Sequence, residues 1–108
     1  MKQKNWEIIL FGHKNEVFEF IENLDPATQA KVYRLLEKLP QYGYRLGMPF
    51  TKQVNSDLYE LRVLGKVQVR LFYIFDYKSI IILHAFIKKT QKLPKKELKI
   101  ALDRLKQL

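Results

Sequence analysis

The spacing of apolar positions changes partway along this chain, and the change divides helices from strands. After Asp25-Pro26, Val32, Leu35, Leu36 and Leu39 recur at i, i+3, i+4 and i+7, the stripe of a helix packed on a core. Asp25 suits the N-cap and Pro26 the first helical position, so the helix starts there, and Pro40 and Gly43 end it. Before it, Trp6 to Phe11 is short, aromatic and β-branched and predicts a first strand. Asn15 can cap a short helix with Val17, Phe18 and Ile21 on one face. Residues 40 to 56 hold two Gly and two Pro without a steady period and read as a long loop, a segment type that is uncommon and often functional.

From Asp57 the period is two. Tyr59, Leu61 and Val63 form one face, Gly65-Lys66 makes a turn, and Val67, Val69, Leu71, Tyr73 and Phe75 continue an apolar face on the next strand. Asp76 to Ser79 is a second turn. Ile80 to Ile87 is apolar on both faces, as expected of a strand covered by helices on one side and partly by something else on the other. Pro94 opens a last helix with Leu98, Ala101, Leu102 and Leu105 as its stripe; its expected N-cap, Leu93, has no capping side chain. The order β-α-α-β-β-β-α predicts an α+β fold, one domain over residues 1–108, with a largely antiparallel sheet and helices packed on one face.

Charge adds the nature of the partner. Twenty Lys+Arg against eleven Asp+Glu give a net charge of +9, which points to an anionic partner such as nucleic acid, an anionic membrane or an acidic protein. No apolar run approaches the ~20 residues that span a bilayer. The chain opens on Met1-Lys2-Gln3-Lys4 with no hydrophobic signal segment, so export is not expected. The absence of cysteine excludes disulfides and thiolate metal sites and fits a reducing cytoplasm.

Within the strands, charged groups stand at strand spacing. Glu60 and Arg62 share one face, Gln68 and Arg70 share one, and His84 and Lys88 share one. If the segments pair as one sheet, its polar face carries arginines, a lysine, a histidine and a carboxylate, without a metal-ligand grouping or an expected cofactor. Such a surface suits a phosphodiester. Arg62 and Arg70 can present planar forks to phosphate oxygens, with Lys88, Lys89 and Lys92 as point charges. Glu60 or His84 can carry protons, and imidazole is the better match to neutral pH.

Each residue has a plainer reading. Arg70 can pair with Glu60 or Asp76 instead of phosphate, and Glu60 and Arg62 can form an ion pair with Arg70 across the hairpin. His84 can be a hydrogen-bonded structural histidine. Phe86 can stack on a base or belong to the core. Lys88, Lys89, Lys92, Lys95, Lys96 and Lys99 can form a solvated face, although eight Lys+Arg against two acids from Lys88 to Leu108 favour phosphate contact.

The segments Leu58-Tyr59-Glu60-Leu61-Arg62, Arg70-Leu71-Phe72-Tyr73 and His84-Ala85-Phe86-Ile87-Lys88-Lys89-Thr90-Gln91-Lys92-Leu93-Pro94-Lys95-Lys96-Glu97 closely resemble the phage-derived HigB branch of the RelE/ParE toxin superfamily. The upstream strand, two helices and the Gly-Met-Pro of residues 47 to 49 follow in the same order, so the resemblance covers nearly the whole chain. Leu93 departs from it, standing where such proteins often have Thr. The resemblance implies a bacterial, cytoplasmic type II toxin that enters the ribosomal A site and cuts messenger RNA there. The ribose 2′-hydroxyl attacks the adjacent phosphate without a metal, and Glu60, Arg62, Arg70, His84 and Lys88 supply the catalytic face. Lys89, Lys92, Phe86, Lys95, Lys96 and Lys99 would then hold RNA or ribosome. It also implies a cognate antitoxin with a HigA-like helix-turn-helix domain. Two alternatives remain at this stage, a ParE-like gyrase inhibitor and a non-catalytic basic nucleic-acid-binding module.

Overall fold

The computed structural model describes residues 5–12 and 15–108. Strand β1 is Glu7–Leu10, followed by helices α1 (Glu16–Glu22) and α2 (Pro26–Tyr42), a 3-10 turn at Gly43–Arg45, strands β2 (Thr51–Gln53), β3 (Tyr59–Val63), β4 (Val69–Asp76) and β5 (Ser79–Ile87), and helix α3 (Lys95–Leu105). The five strands form one sheet in the order β1-β5-β4-β3-β2. β1 runs parallel to β5 and every other pair is antiparallel. The expected α+β class and largely antiparallel sheet hold.

Three details differ from the sequence reading. The segment read as a loop contains β2, which makes the sheet five-stranded; three residues are too few to display a period. α2 runs through Pro40 to Tyr42, because a proline this near a helix end forfeits little more than its own N–H bond. Helices cover both faces of the sheet, where one face was expected. Val17 and Ile21 of α1 and Val32, Leu35 and Leu39 of α2 pack with Leu61, Val63, Val69, Leu71, Tyr73, Ile80 and Ile82. On the opposite face Ala101, Leu98, Leu102 and Leu105 of α3 pack with Phe72, Ile74, Ile81, Leu83 and Phe86. α3 is thus the second cover that an all-apolar β5 requires.

Helix ends follow the capping chemistry in part. Asp25 accepts from the Thr28 N–H at 3.0 Å, and that bonding to Thr28 holds its carboxyl below the usual carboxylate range. Asn15 occupies the N-cap of α1 with φ 50° and makes no side-chain cap, and Phe18 turns outward, away from the predicted stripe. Pro94 is the N-cap of α3 in place of Leu93. At the other end of α2, Gly43 has φ 54° and its Cα abuts the Trp6 indole. An alanine there meets both a left-handed backbone and that ring, so Gly43→Ala is expected to lower stability by about 1–3 kcal/mol, measured by urea denaturation.

Candidate active site

Pairing in the sheet brings the charged positions together. Arg62 lies directly across from Arg70, and Arg70 across from Phe86; Lys52, Glu60, Phe72 and His84 form the neighbouring row. All of these residues project to the α3 face, the face away from α1 and α2. Two basic residues directly opposite each other repel. Glu60 is their counter-ion, with its oxygens 3.7 Å from Arg62 Nε and 3.8 Å from Arg70 Nε.

Those separations exceed a hydrogen bond, and both Nε atoms are buried without a partner. Glu60 is 5% exposed and Arg70 4%, so water does not compensate them. Arg70 Nη1 donates to Gln68 Oε1 at 3.3 Å and to the Val69 carbonyl at 3.1 Å, which orients the guanidinium. Burial pushes the Arg70 guanidinium below its ordinary value; Glu60 opposes that shift and Arg62 adds to it. It remains a cation at neutral pH, one with less counter-charge than its burial calls for.

A bulge in β5 places the histidine. Phe72 pairs with His84 and Tyr73 with Ile82, leaving Leu83 as an extra residue. Leu83 and His84 therefore both turn toward α3, where strict alternation from Ile80 and Ile82 would have buried His84 under α1 and α2. Arg104 of α3 donates to the Leu83 carbonyl at 2.7 Å and also pairs with Glu16. His84 Nε2 lies 2.7 Å from Glu97 Oε1, and its ring stacks on Phe86.

Beside this row a cleft of about 250 Å³ is lined by Lys52, Gln53, Val54, Glu60, Arg62, Lys88, Gln91 and Leu93. Of the sequence-predicted residues, Glu60, Arg62, Arg70, His84 and Lys88 come together on one face. Lys89 and Lys92 are exposed on the segment that leaves β5, and Lys95 and Lys96 are exposed at the start of α3. One expectation is corrected. Phe86 is 4% exposed and flanked by His84 and Phe72, so it is core and offers no surface to a base. Lys99 is exposed on α3 and lies 2.9 Å from Asp103 in a surface ion pair.

The sequence reading missed Lys52, Gln91 and Glu97. Lys52 sits in the strand hidden within the loop segment. Glu97 resembles an ordinary first-turn helix acid, and only folding brings it to a residue thirteen positions away. Among the described residues, no group of three or more His, Asp or Glu is arranged to hold a metal ion.

Comparison with known proteins places the architecture. The family model "Phage derived protein Gp49-like (DUF891)" matches residues 19–106. The chain belongs to this phage-derived Gp49-like family, a family of RelE-like toxins. No curated protein matches it. The YoeB dimer from Staphylococcus aureus superposes with a TM-score of 0.55 at 21% identity, covering 72% of this chain and 91% of that one. The YoeB-YefM complex from the same organism gives 0.55 at 20% identity, covering 79% and 97%. These likenesses establish the fold.

The charge arrangement has a direct test. Glu60→Gln keeps the shape but leaves two facing guanidinium groups without their carboxylate, and the folded state is expected to lose on the order of 3 kcal/mol. Urea denaturation of the variant measures it. An unchanged midpoint would mean that the Glu60 carboxylate does not stabilise the facing arginines.

Proposed function

We propose that the chain is the toxin of a bacterial type II toxin-antitoxin pair, of the HigB-like branch, and that it acts in the cytoplasm as a ribosome-dependent messenger RNA endoribonuclease. One observation carries this reading: Arg62 and Arg70 stand opposite each other with buried, unpartnered Nε–H groups beside a cleft that also receives Lys52 and Lys88. Unsatisfied buried donors cost about 1–3 kcal/mol each. A phosphodiester anion would satisfy both and relieve their repulsion.

The reaction such a face suits begins with the substrate's own 2′-hydroxyl. Its oxygen bonds to the adjacent phosphorus as the P–O5′ bond breaks, leaving a 2′,3′-cyclic phosphate and a 5′-hydroxyl. One proton leaves O2′ and one arrives at O5′. Arg70 and Arg62 neutralise the phosphorane, with Lys88 and Lys52 as further charge. Glu60, enclosed by the two arginines, holds them in place, and His84 is the proton carrier of the face. The nucleophile is internal to the RNA, so charge and proton transfer suffice and the reaction calls on no metal.

The ribosome's part follows from positioning. The cleft is small, about 250 Å³, and the face has few groups placed for acid-base chemistry, so alignment of the message by the ribosome supplies much of the rate. A cognate antitoxin is the natural partner of so basic a surface, since opposite charge speeds encounter. The YoeB-YefM complex supports a partner bound to this fold. A HigA-like helix-turn-helix protein fits the HigB-like sequence pattern.

Translation in a cell extract with primer-extension readout tests the reading. Discrete cuts inside translated frames are expected, naked RNA should be cut poorly, and Arg70→Ala should lower cleavage by about 100-fold or more while retaining a thermal transition. Intact messages together with a DNA-damage response in cells would instead favour gyrase inhibition; binding without either would leave a non-catalytic module.

Docking is separable from chemistry. Lys95 and Lys96 are exposed at the start of α3, outside the strand face, and are assigned to ribosomal RNA together with Lys89 and Lys92. Lys95→Gln with Lys96→Gln should weaken ribosome binding and reduce its logarithmic salt slope by about 1.5–2, with the saturating single-turnover rate nearly unchanged. Filter binding at several salt concentrations measures the slope. A collapse of the saturating rate at unchanged affinity would move these lysines into the active site.

A further inference from the structure

His84 is held at one ring nitrogen and open at the other. Nε2 is 2.7 Å from Glu97 Oε1, a distance short enough for a charge-assisted bond. Nδ1 has no hydrogen-bond partner among the described residues, and it is not among the buried atoms that lack one, so it reaches the surface. A carboxylate only accepts. The hydrogen of this bond therefore belongs to Nε2, which leaves Nδ1 as the free acceptor of a neutral ring.

Glu97 has no competing local duty. It is the third residue of α3, where a glutamate commonly reaches back to the N–H of the N-cap residue. The N-cap here is Pro94, which has no N–H to offer. The carboxylate instead turns down onto the sheet. Two further features fix the ring it meets: Phe86 stacks on it with an interplanar angle of 19°, and the Leu83 bulge sets its direction.

We propose that Glu97 is a positioning residue that holds the proton of His84 on Nε2, reserving Nδ1 as the atom that exchanges a proton with the RNA. The inference rests on the ribonuclease reading above. A proton passes from the 2′-hydroxyl to Nδ1 as the O2′–P bond forms, or from Nδ1 to the 5′-oxygen as the P–O5′ bond breaks. In either direction the Nε2 proton stays with Glu97, and the carboxylate balances the imidazolium whenever the ring carries both protons. Glu97 itself touches no reacting atom.

Two measurements on the full chain test it. Long-range nitrogen-proton NMR at a pH where the ring is neutral reads the tautomer of His84, assigned by comparison with His84→Asn. The wild type should carry its proton on Nε2. In Glu97→Gln, the amide can donate as well as accept, so a mixture of tautomers is expected. The saturating single-turnover cleavage rate on programmed ribosomes should fall by about tenfold to 100-fold, within the ~10²–10⁴ that proton transfer contributes. Ribosome affinity and the thermal transition should stay near wild type, and Glu97→Asp should recover part of the rate.

A wild-type ring protonated on Nδ1 overturns the proposal without any variant. So does a full cleavage rate in both Glu97→Gln and Glu97→Ala, provided the wild type cleaves. A wild-type chain that does not cleave at all removes the ribonuclease reading and this catalytic role with it, an outcome distinct from a Glu97 variant that cleaves normally.

Discussion

The single extra residue in β5 is the constraint on which the face depends. Strict alternation after Ile80 and Ile82 would carry His84 under α1 and α2, opposite the arginines. With Leu83 inserted against the register of β4, residues 84, 86 and 88 move to the α3 face instead. The bulge also leaves the Leu83 carbonyl outside the ladder, and Arg104 takes it. α3 is thus fastened to β5 at two successive residues, Leu83 through Arg104 and His84 through Glu97. A local irregularity in one strand sets both the position of the histidine and the seat of the helix above it.

The two faces of the sheet do different work. The face under α1 and α2 is largely apolar, from Leu61 and Val63 across Val69, Leu71 and Tyr73 to Ile80 and Ile82. It anchors β3 and β4 side by side and leaves their other face free to hold groups that no core would choose. Arg62 opposite Arg70, with Glu60 a little too distant to bond either Nε, is such an arrangement. Its cost is borne by the apolar face, since burying one large aliphatic side chain contributes roughly 1.5–3 kcal/mol. The result is a pair of facing cations with buried N–H groups that nothing among the described residues satisfies.

α3 divides the second face between a sealed core and an open cleft. Toward its carboxyl end, Ala101, Leu102 and Leu105 seal Ile74, Ile81 and Leu83; toward its start, the helix stops short of the arginines and the cleft opens beside Lys88 and Gln91. Phe86 marks the border, buried by Phe72 and supporting the His84 ring. Lys88 lines the cleft, and Lys89, Lys92, Lys95 and Lys96 are exposed on the segment that follows it.

Much of this was legible in the residues alone. The period of two from Tyr59 onward placed β3 and β4, the apolar run Ile80 to Ile87 placed β5, and the alternation of Glu60, Arg62 and Arg70 against Leu61 and Leu71 put the charged groups on one side, because side chains of a strand have no third direction to take. The Asp25-Pro26 start and the stripe to Leu39 defined α2 through local capping and burial. Tertiary structure alone decided the rest. β2 is three residues long and exists because β3 offers it an edge; α3 takes the opposite face because β5 is apolar on both sides; Phe86 is core because a helix closes over it. The pairing of His84 with Glu97 joins a strand to a helix thirteen residues later, and no spacing in the chain encodes it. Period and capping are local energies that a sequence displays, whereas a bulge, a helix seat and a strand-to-helix hydrogen bond are settled by which surfaces remain unburied once the sheet has formed.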